Sequence, residues 1–221
     1  MPAGALGALL VAVAATGPAT AASAGPSIQV DRACYVNARS PARIEITGQG
    51  WTPGDSVEVT GAAQPVSATV GSDGTFAATG TAPGRDFALR RQSERLSAAE
   101  TDATTGQTVP AVSATTAYLV TDLAYSVRPQ DTSLTRKVTF RFSGFTADRE
   151  IFAHYLRGKR VVARQRFGRT TGPCGLLSAR ALQYPGGHPG ARRYEVQFDD
   201  ARAYSRRSSP RVVTELSVRR Y

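Results

Sequence analysis

Short runs in which apolar and polar residues alternate, each closed by a Gly, Pro or Asp turn, recur along the chain from Ser27 onward. The clearest is Lys137-Val-Thr-Phe-Arg-Phe142: Val138, Phe140 and Phe142 fall on one side, Lys137, Thr139 and Arg141 on the other. A period of two is that of a strand with one buried face. Tyr194, Val196 and Phe198 alternate in the same way with Arg193, Glu195 and Gln197. Further strand-sized pieces are predicted at Ile28 to Val36, Ala42 to Thr47, Ser56 to Thr60, Gln64 to Val70, Thr75 to Thr79, Leu96 to Thr101 and Val109 to Val120. Later come Ile151 to Leu156 and Arg160 to Phe167, joined by the hairpin turn Arg157-Gly158-Lys159, and finally Val212 to Val218. Gly71-Ser-Asp-Gly74 supplies the positive φ that a tight hairpin needs. Frequent threonine favours a pleated surface, and only Leu89 to Glu100 carries a weak helical period. The pattern predicts an all-β protein.

The pieces also repeat. Gly50-Trp51-Thr52-Pro53-Gly54-Asp55 leads into one strand, and Gly144-Phe145-Thr146-Ala147-Asp148-Arg149 into another, at an offset of 144 − 50 = 94 residues. That offset is the length of one immunoglobulin-like sandwich. The expectation is two tandem immunoglobulin-like β-sandwich domains, residues 25–122 and 123–221, abutting near Thr121-Asp122 without a Pro/Ser-rich linker. Trp51 and Phe145, at equivalent places in the repeat, are expected in the two cores rather than as sugar-stacking platforms.

Residues 1–24 break the pattern. They carry no charge, hold a short apolar run from Leu6 to Ala15, and end in Ala22-Ser23-Ala24. A run this short does not span a bilayer, and small-x-small closes a secretory leader. A cleaved signal peptide is expected over 1–24. Cys34 follows Asp31-Arg32-Ala33 rather than an apolar lipobox, so no lipid anchor is expected, nor is any transmembrane segment. The expected location is extracellular, with retention at the cell surface left open.

Charge changes the picture further. Of 27 Lys+Arg and 17 Asp+Glu, residues 25–122 hold 7 and 10, a net of −3, whereas residues 123–221 hold 20 and 7, a net of +13. Arg160, Arg164 and Arg166 share one strand face, Lys137 and Arg141 lie on the solvent side of a second, and Arg193 on that of a third. If these strands share a sheet, they form a cationic face, and arginine forks suit carboxylate and phosphate. The expected partner is a cell-wall polymer, an acidic polysaccharide or another polyanion. The alternative is that the charges only keep strand edges from pairing. Without an RNP or helix-turn-helix signature, no dedicated nucleic-acid partner is expected.

Candidate reaction chemistry is sparse. Two cysteines exclude a four-cysteine zinc site. Cys34 and Cys174 fall one in each half, and an exported chain favours their pairing; free thiols and intermolecular bonds stay open. Cys174, in Gly172-Pro-Cys-Gly175, would need His154 or His188 as a base to act as a nucleophile. His188 sits in a Gly/Pro loop, and His154 sits in a strand as an ordinary packed or surface residue. Asp199-Asp200 follows a strand and reads as a turn. No Gly-x-Ser-x-Gly, phosphate-binding or dinucleotide motif occurs. Neither a cofactor nor a metal is expected.

The residues Ala33-Cys-Tyr35, Gly48-Gln-Gly-Trp-Thr-Pro-Gly-Asp55, Val57, Val59 and Ser72-Asp-Gly-Thr-Phe76 resemble small secreted immunoglobulin-like domains common in actinobacteria. Phe152-Ala-His-Tyr155, Gly172-Pro-Cys-Gly175 and Tyr194-Glu-Val-Gln-Phe-Asp199 with Tyr204-Ser205 look like the partner domain of two-domain proteins of that kind. The resemblance implies the fold and supplies no catalytic residue. The functional expectation is a secreted, non-enzymatic binding protein. A structural or protein-binding module and a hydrolase with an unrecognised site are the alternatives.

Overall fold

Alternation becomes strand nearly wherever it occurs. The computed structural model describes residues 25–38, 40–84, 91–129, 136–186 and 192–218. The expected leader over 1–24 and His188 lie outside them. Fifteen strands and no helix occur among the described residues.

In the first half, β1 (Ser27–Val30), β3 (Arg43–Gln49) and β6 (Thr75–Thr81) form a three-stranded sheet in the order β1-β3-β6. Facing it is a five-stranded sheet of β2 (Cys34–Asn37), β4 (Ser56–Thr60), β5 (Val66–Thr69), β7 (Gln92–Thr101) and β8 (Thr108–Asp122), ordered β2-β8-β7-β4-β5. In the second half, β9 (Ala124–Arg128), β10 (Lys137–Ser143) and β13 (Leu177–Leu182) form a sheet ordered β13-β10-β9. Its counterpart holds β11 (Glu150–Arg157), β12 (Arg160–Arg169), β14 (Arg192–Asp199) and β15 (Arg211–Val218), ordered β12-β11-β14-β15.

Each pair of sheets closes on its own apolar cluster. One is built from residues between Ile28 and Val120, including Ile44, Ile46, Trp51, Val57, Val59, Phe76 and Leu96. The other is built between Leu123 and Val218, around Phe140, Phe142, Phe145, Tyr155, Val196 and Phe198. Trp51 and Phe145 are buried in these clusters, as the repeat implied. Phe142 meets Phe145, Phe167 and Phe198 edge to face, an arrangement aromatic quadrupoles favour.

Three readings need correction. Ile28 to Val36 is not one strand: the chain leaves β1 at Asp31 and re-enters as β2 in the opposite sheet, parallel to β8 with Cys34 beside Leu119. The crossing is fixed by Asp31, whose Oδ1 accepts the Tyr35 hydroxyl at 2.6 Å and the Glu45 N–H at 3.0 Å. The strand expected at Leu96 to Thr101 is present but starts earlier, at Gln92 inside the weak helical period, and buries Leu96, Ala98 and Glu100 at every second position. Asp199, read from sequence as following the strand, is the last residue of β14 and is fully buried; its Oδ1 accepts the Ala201 N–H at 3.0 Å, so it starts the turn from inside the fold.

Candidate anion-binding face

The three-stranded sheet of the second half buries one side and offers the other to solvent. Register places Arg128 (β9) and Arg180 (β13) on either side of Thr139 (β10), and Ser126 and Ser178 on either side of Arg141. Residues facing one another across antiparallel strands share a sheet face. The inward set is Val138, Phe140, Phe142, Tyr125, Val127, Leu177, Ala179 and Ala181. The outward set therefore holds Arg128, Lys137, Arg141 and Arg180 with Ser126, Thr139 and Ser178, and all four cations are exposed. No carboxylate occupies an outward position of these strands. None of the four cations makes an ion pair with a described residue. Strands about 4.8 Å apart put Arg128 and Arg180 roughly 10 Å apart across β10.

The arginines named from sequence do not form one face. Arg141 lies on the sheet just described, whereas Arg160, Arg164 and Arg166 lie on β12 and Arg193 on β14 of the opposite sheet. On β12 all three arginines are exposed, but only Arg164 and Arg166 share a side: the register break between Tyr155 and Leu156 pairs Arg160 with Arg157 and takes it off the face expected from simple alternation. Their charge is partly committed: Arg166 pairs with Glu150, Arg193 Nε lies 3.4 Å from Glu215 Oε1, and Arg164 donates to the Arg202 carbonyl at 2.9 Å. The sequence reading passed over Arg128 and Arg180. Their signal was the alternation Tyr125, Val127 against Ser126, Arg128, and Leu177, Ala179, Ala181 against Ser178, Arg180.

The two cysteines are joined: Cys34 and Cys174 form a disulfide with Cα atoms 5.4 Å apart. Around it the halves interlock. Ser143 Oγ donates to Asp122 O at 2.9 Å and Leu123 N–H to Asn37 O at 3.0 Å across the junction, while within the second half Gly144 N–H donates to Cys174 O at 2.9 Å. A Cβ on Gly144 would meet Asp122 O and Val36 Cγ1 at 2.7 Å, so this glycine is required by close approach as well as by its φ of 76°. With its sulfur in the disulfide, Cys174 offers no thiolate to His154.

His154 has a structural partner instead. Its Nε2 sits 3.0 Å from Ala201 O and 3.3 Å from Asp199 Oδ1. A carbonyl only accepts, so Nε2 carries the hydrogen. Asp199 also accepts from the Gln197 side-chain amide and from Ala201 N–H. Burial pushes the Asp199 carboxyl up, but the hydrogen bonds from His154, Gln197 and Ala201 outweigh it and hold its pKa below the ordinary 3.8. The segment 200–210 lies over this cluster, with Tyr204 against the His154 ring and Ser205 O accepting from Gln197. Among the described residues no three His, Cys, Asp or Glu side chains converge as metal ligands, and no helix is long and apolar enough to cross a membrane.

No protein-family model and no curated protein matches the chain. Solved structures align with it at low identity. A tetra-tandem repeat from the extending region of a large adhesion protein shares 14% identity over 86% of this chain and 47% of that one, at a TM-score of 0.29. Red sea bream transglutaminase shares 14% over 91% of this chain and 32% of that one, at 0.30. A Legionella pneumophila protein shares 12% over 77% and 51%, at 0.29. The chain thus spans about half or less of the length of each.

Proposed function

We propose that the protein is an extracytoplasmic, non-enzymatic binding module. In this reading its two halves, 25–122 and 123–221, are rigidly joined, and the second holds an extended anionic polymer. The observation that carries the reading is the outward face of β9, β10 and β13, with four exposed cations and no carboxylate. Uncompensated cations on a flat sheet attract polyanions by their summed field. A phosphopolymer or an acidic polysaccharide presents the repeated anions that such a surface accepts. Arg160, Arg164 and Arg166 add long-range field from the opposite sheet. The disulfide fits an oxidising compartment, and it engages Cys174, while His154 is held in the buried pair with Asp199.

The test is retention on heparin and on a phosphopolymer column. Lys137→Glu, Arg141→Glu and Arg180→Glu together change the face by six charges. The expected result is elution at much lower salt, while Arg160→Glu, Arg164→Glu and Arg166→Glu together cause a smaller shift. Exposed charges are screened beyond about 8 Å at physiological ionic strength, so the wild type should release steeply with salt. Wild-type protein that flows through at low salt, or a larger loss from the β12 variant, refutes the assignment.

A further inference from the structure

Sheet edges in globular proteins are normally blunted by shortness, bulges, covering segments or charge, because an unpaired edge recruits another strand. Most edges here follow that rule. β1, β2 and β5 have four residues each. β12 is long, but it breaks register twice against β11 and carries Arg160, Arg164, Arg166 and Arg169. Beside β6, Ala63 N–H donates to Thr81 O at 2.9 Å.

β15 is the exception. Its eight residues pair one for one with β14, from Asp199 opposite Arg211 to Arg192 opposite Val218, without a register break. It contains no proline and no lysine, and no described strand lies on its other side. The corresponding edge of the first half is closed: β8 pairs with β2, Tyr35 fills the core against Tyr118, and Tyr118 and Val120 are buried. On β15 the inward residues Val212, Leu216 and Val218 stay half-buried. A cavity of about 400 Å³ opens between β9 and β15, lined by Tyr125, Val127, Phe140, Phe198 and Leu216 among others. On the outward side Val213 is 49% exposed, the most exposed large apolar residue described.

We infer that β15 is the interface of a homodimer, in which the β15 strands of two copies pair antiparallel about a two-fold axis at Val213. The occupant is a second copy because the strand is complementary to itself. Arg211 and Glu215 flank Val213 at equal spacing. A two-fold at Val213 sets Val213 opposite the partner's Val213, and each Arg211 opposite the partner's Glu215. Side chains directly opposite approach to about 5 Å, where opposite charges attract and like charges repel. A two-fold at Glu215 would oppose two carboxylates, and one at Thr214 would set Val213 against a carboxylate. The dimer continues each four-stranded sheet into eight strands and lays an incoming strand across the mouth of the cavity. This inference goes beyond the anion-binding reading and does not depend on it.

The experiment is sedimentation equilibrium of the full chain, with the disulfide intact, from low micromolar to near-millimolar concentration. The expected result is a reversible dimer. Val213→Lys apposes two cations at the axis and should weaken association about tenfold or more. Arg211→Glu and Glu215→Arg should each weaken it, and the double variant should restore it by reversing both pairs. Circular dichroism confirms that each variant is folded. A wild type that stays monomeric throughout overturns the proposal. So does a Val213→Lys dimer of unchanged strength, or a double variant no stronger than the singles.

Discussion

At the scale of single residues, the buried group with most at stake is Asp199. Its carboxylate is fully buried and gathers donors from His154, Gln197 and Ala201. Removing the acceptor strands several buried donors at once, and each orphaned group carries a desolvation cost. Asp199→Ala should therefore destabilise the second half by about 3 kcal/mol or more, read as a loss in denaturant midpoint. The pH dependence has a definite sign. A carboxyl whose folded pKa lies below its unfolded value contributes stability above the unfolded value and loses it as pH falls through the folded one. The contribution of Asp199 is thus complete above its ordinary 3.8 and fades below it. Melting temperatures of the wild type should fall more steeply with acidification between about pH 5 and 2 than those of Asp199→Asn. Parallel curves would show that Asp199 is not the group responsible.

At the scale of elements, the repeated turn before β4 and β11 shows what alternation and glycine placement made legible. Gly50 and Gly144 adopt φ of 78° and 76°, and Gly54 and Asp148, also 94 residues apart, both have positive φ. After the turn, Val70 N–H donates to Asp55 O in one half and Thr170 N–H to Arg149 O in the other. The shared backbone delivers Trp51 and Phe145 to equivalent places in the two cores. Trp51→Ala and Phe145→Ala should each cost about 3–5 kcal/mol, measurable by urea titration. A cost below about 1 kcal/mol at either position would mean that its turn does not anchor the core. What was not legible depended on contacts between distant segments. The break between β1 and β2 rests on Asp31 reaching Tyr35 and Glu45, which no local pattern announces. Nor could alternation place Arg141 on a different sheet from Arg164, because period two fixes the face of a strand but not its neighbours. The burial of His154 and Asp199 came from the segment 200–210, whose own sequence has no regular period.

At the scale of the whole molecule, the two apolar clusters are separate, and what holds the halves in register is the short junction around Cys34, Asn37, Leu123, Gly144 and Cys174. Its hydrogen bonds are few, and each contributes roughly 1 kcal/mol net. The disulfide is the larger constraint. It closes a loop of 140 residues, and chain-entropy arithmetic for such a loop gives about 5 kcal/mol. It also ties β2, the strand that closes the edge of β8, to the turn that packs against Phe145. Gly175 in that turn has no room for a side chain, since a Cβ would stand 1.7 Å from Phe145 O. Loss of the bond should loosen both cores where they meet, without removing either cluster. Replacing Cys34 and Cys174 by Ser should lower stability by up to about 5 kcal/mol and split a single melting transition into two. The half containing β9–β15, which carries the cationic face, should keep the retention on a phosphopolymer column that is proposed for it. Calorimetry and column retention on the same variant separate the consequences: one unchanged transition would mean that the hydrogen bonds alone couple the halves, and lost retention would mean that the cationic face depends on the first half for its shape.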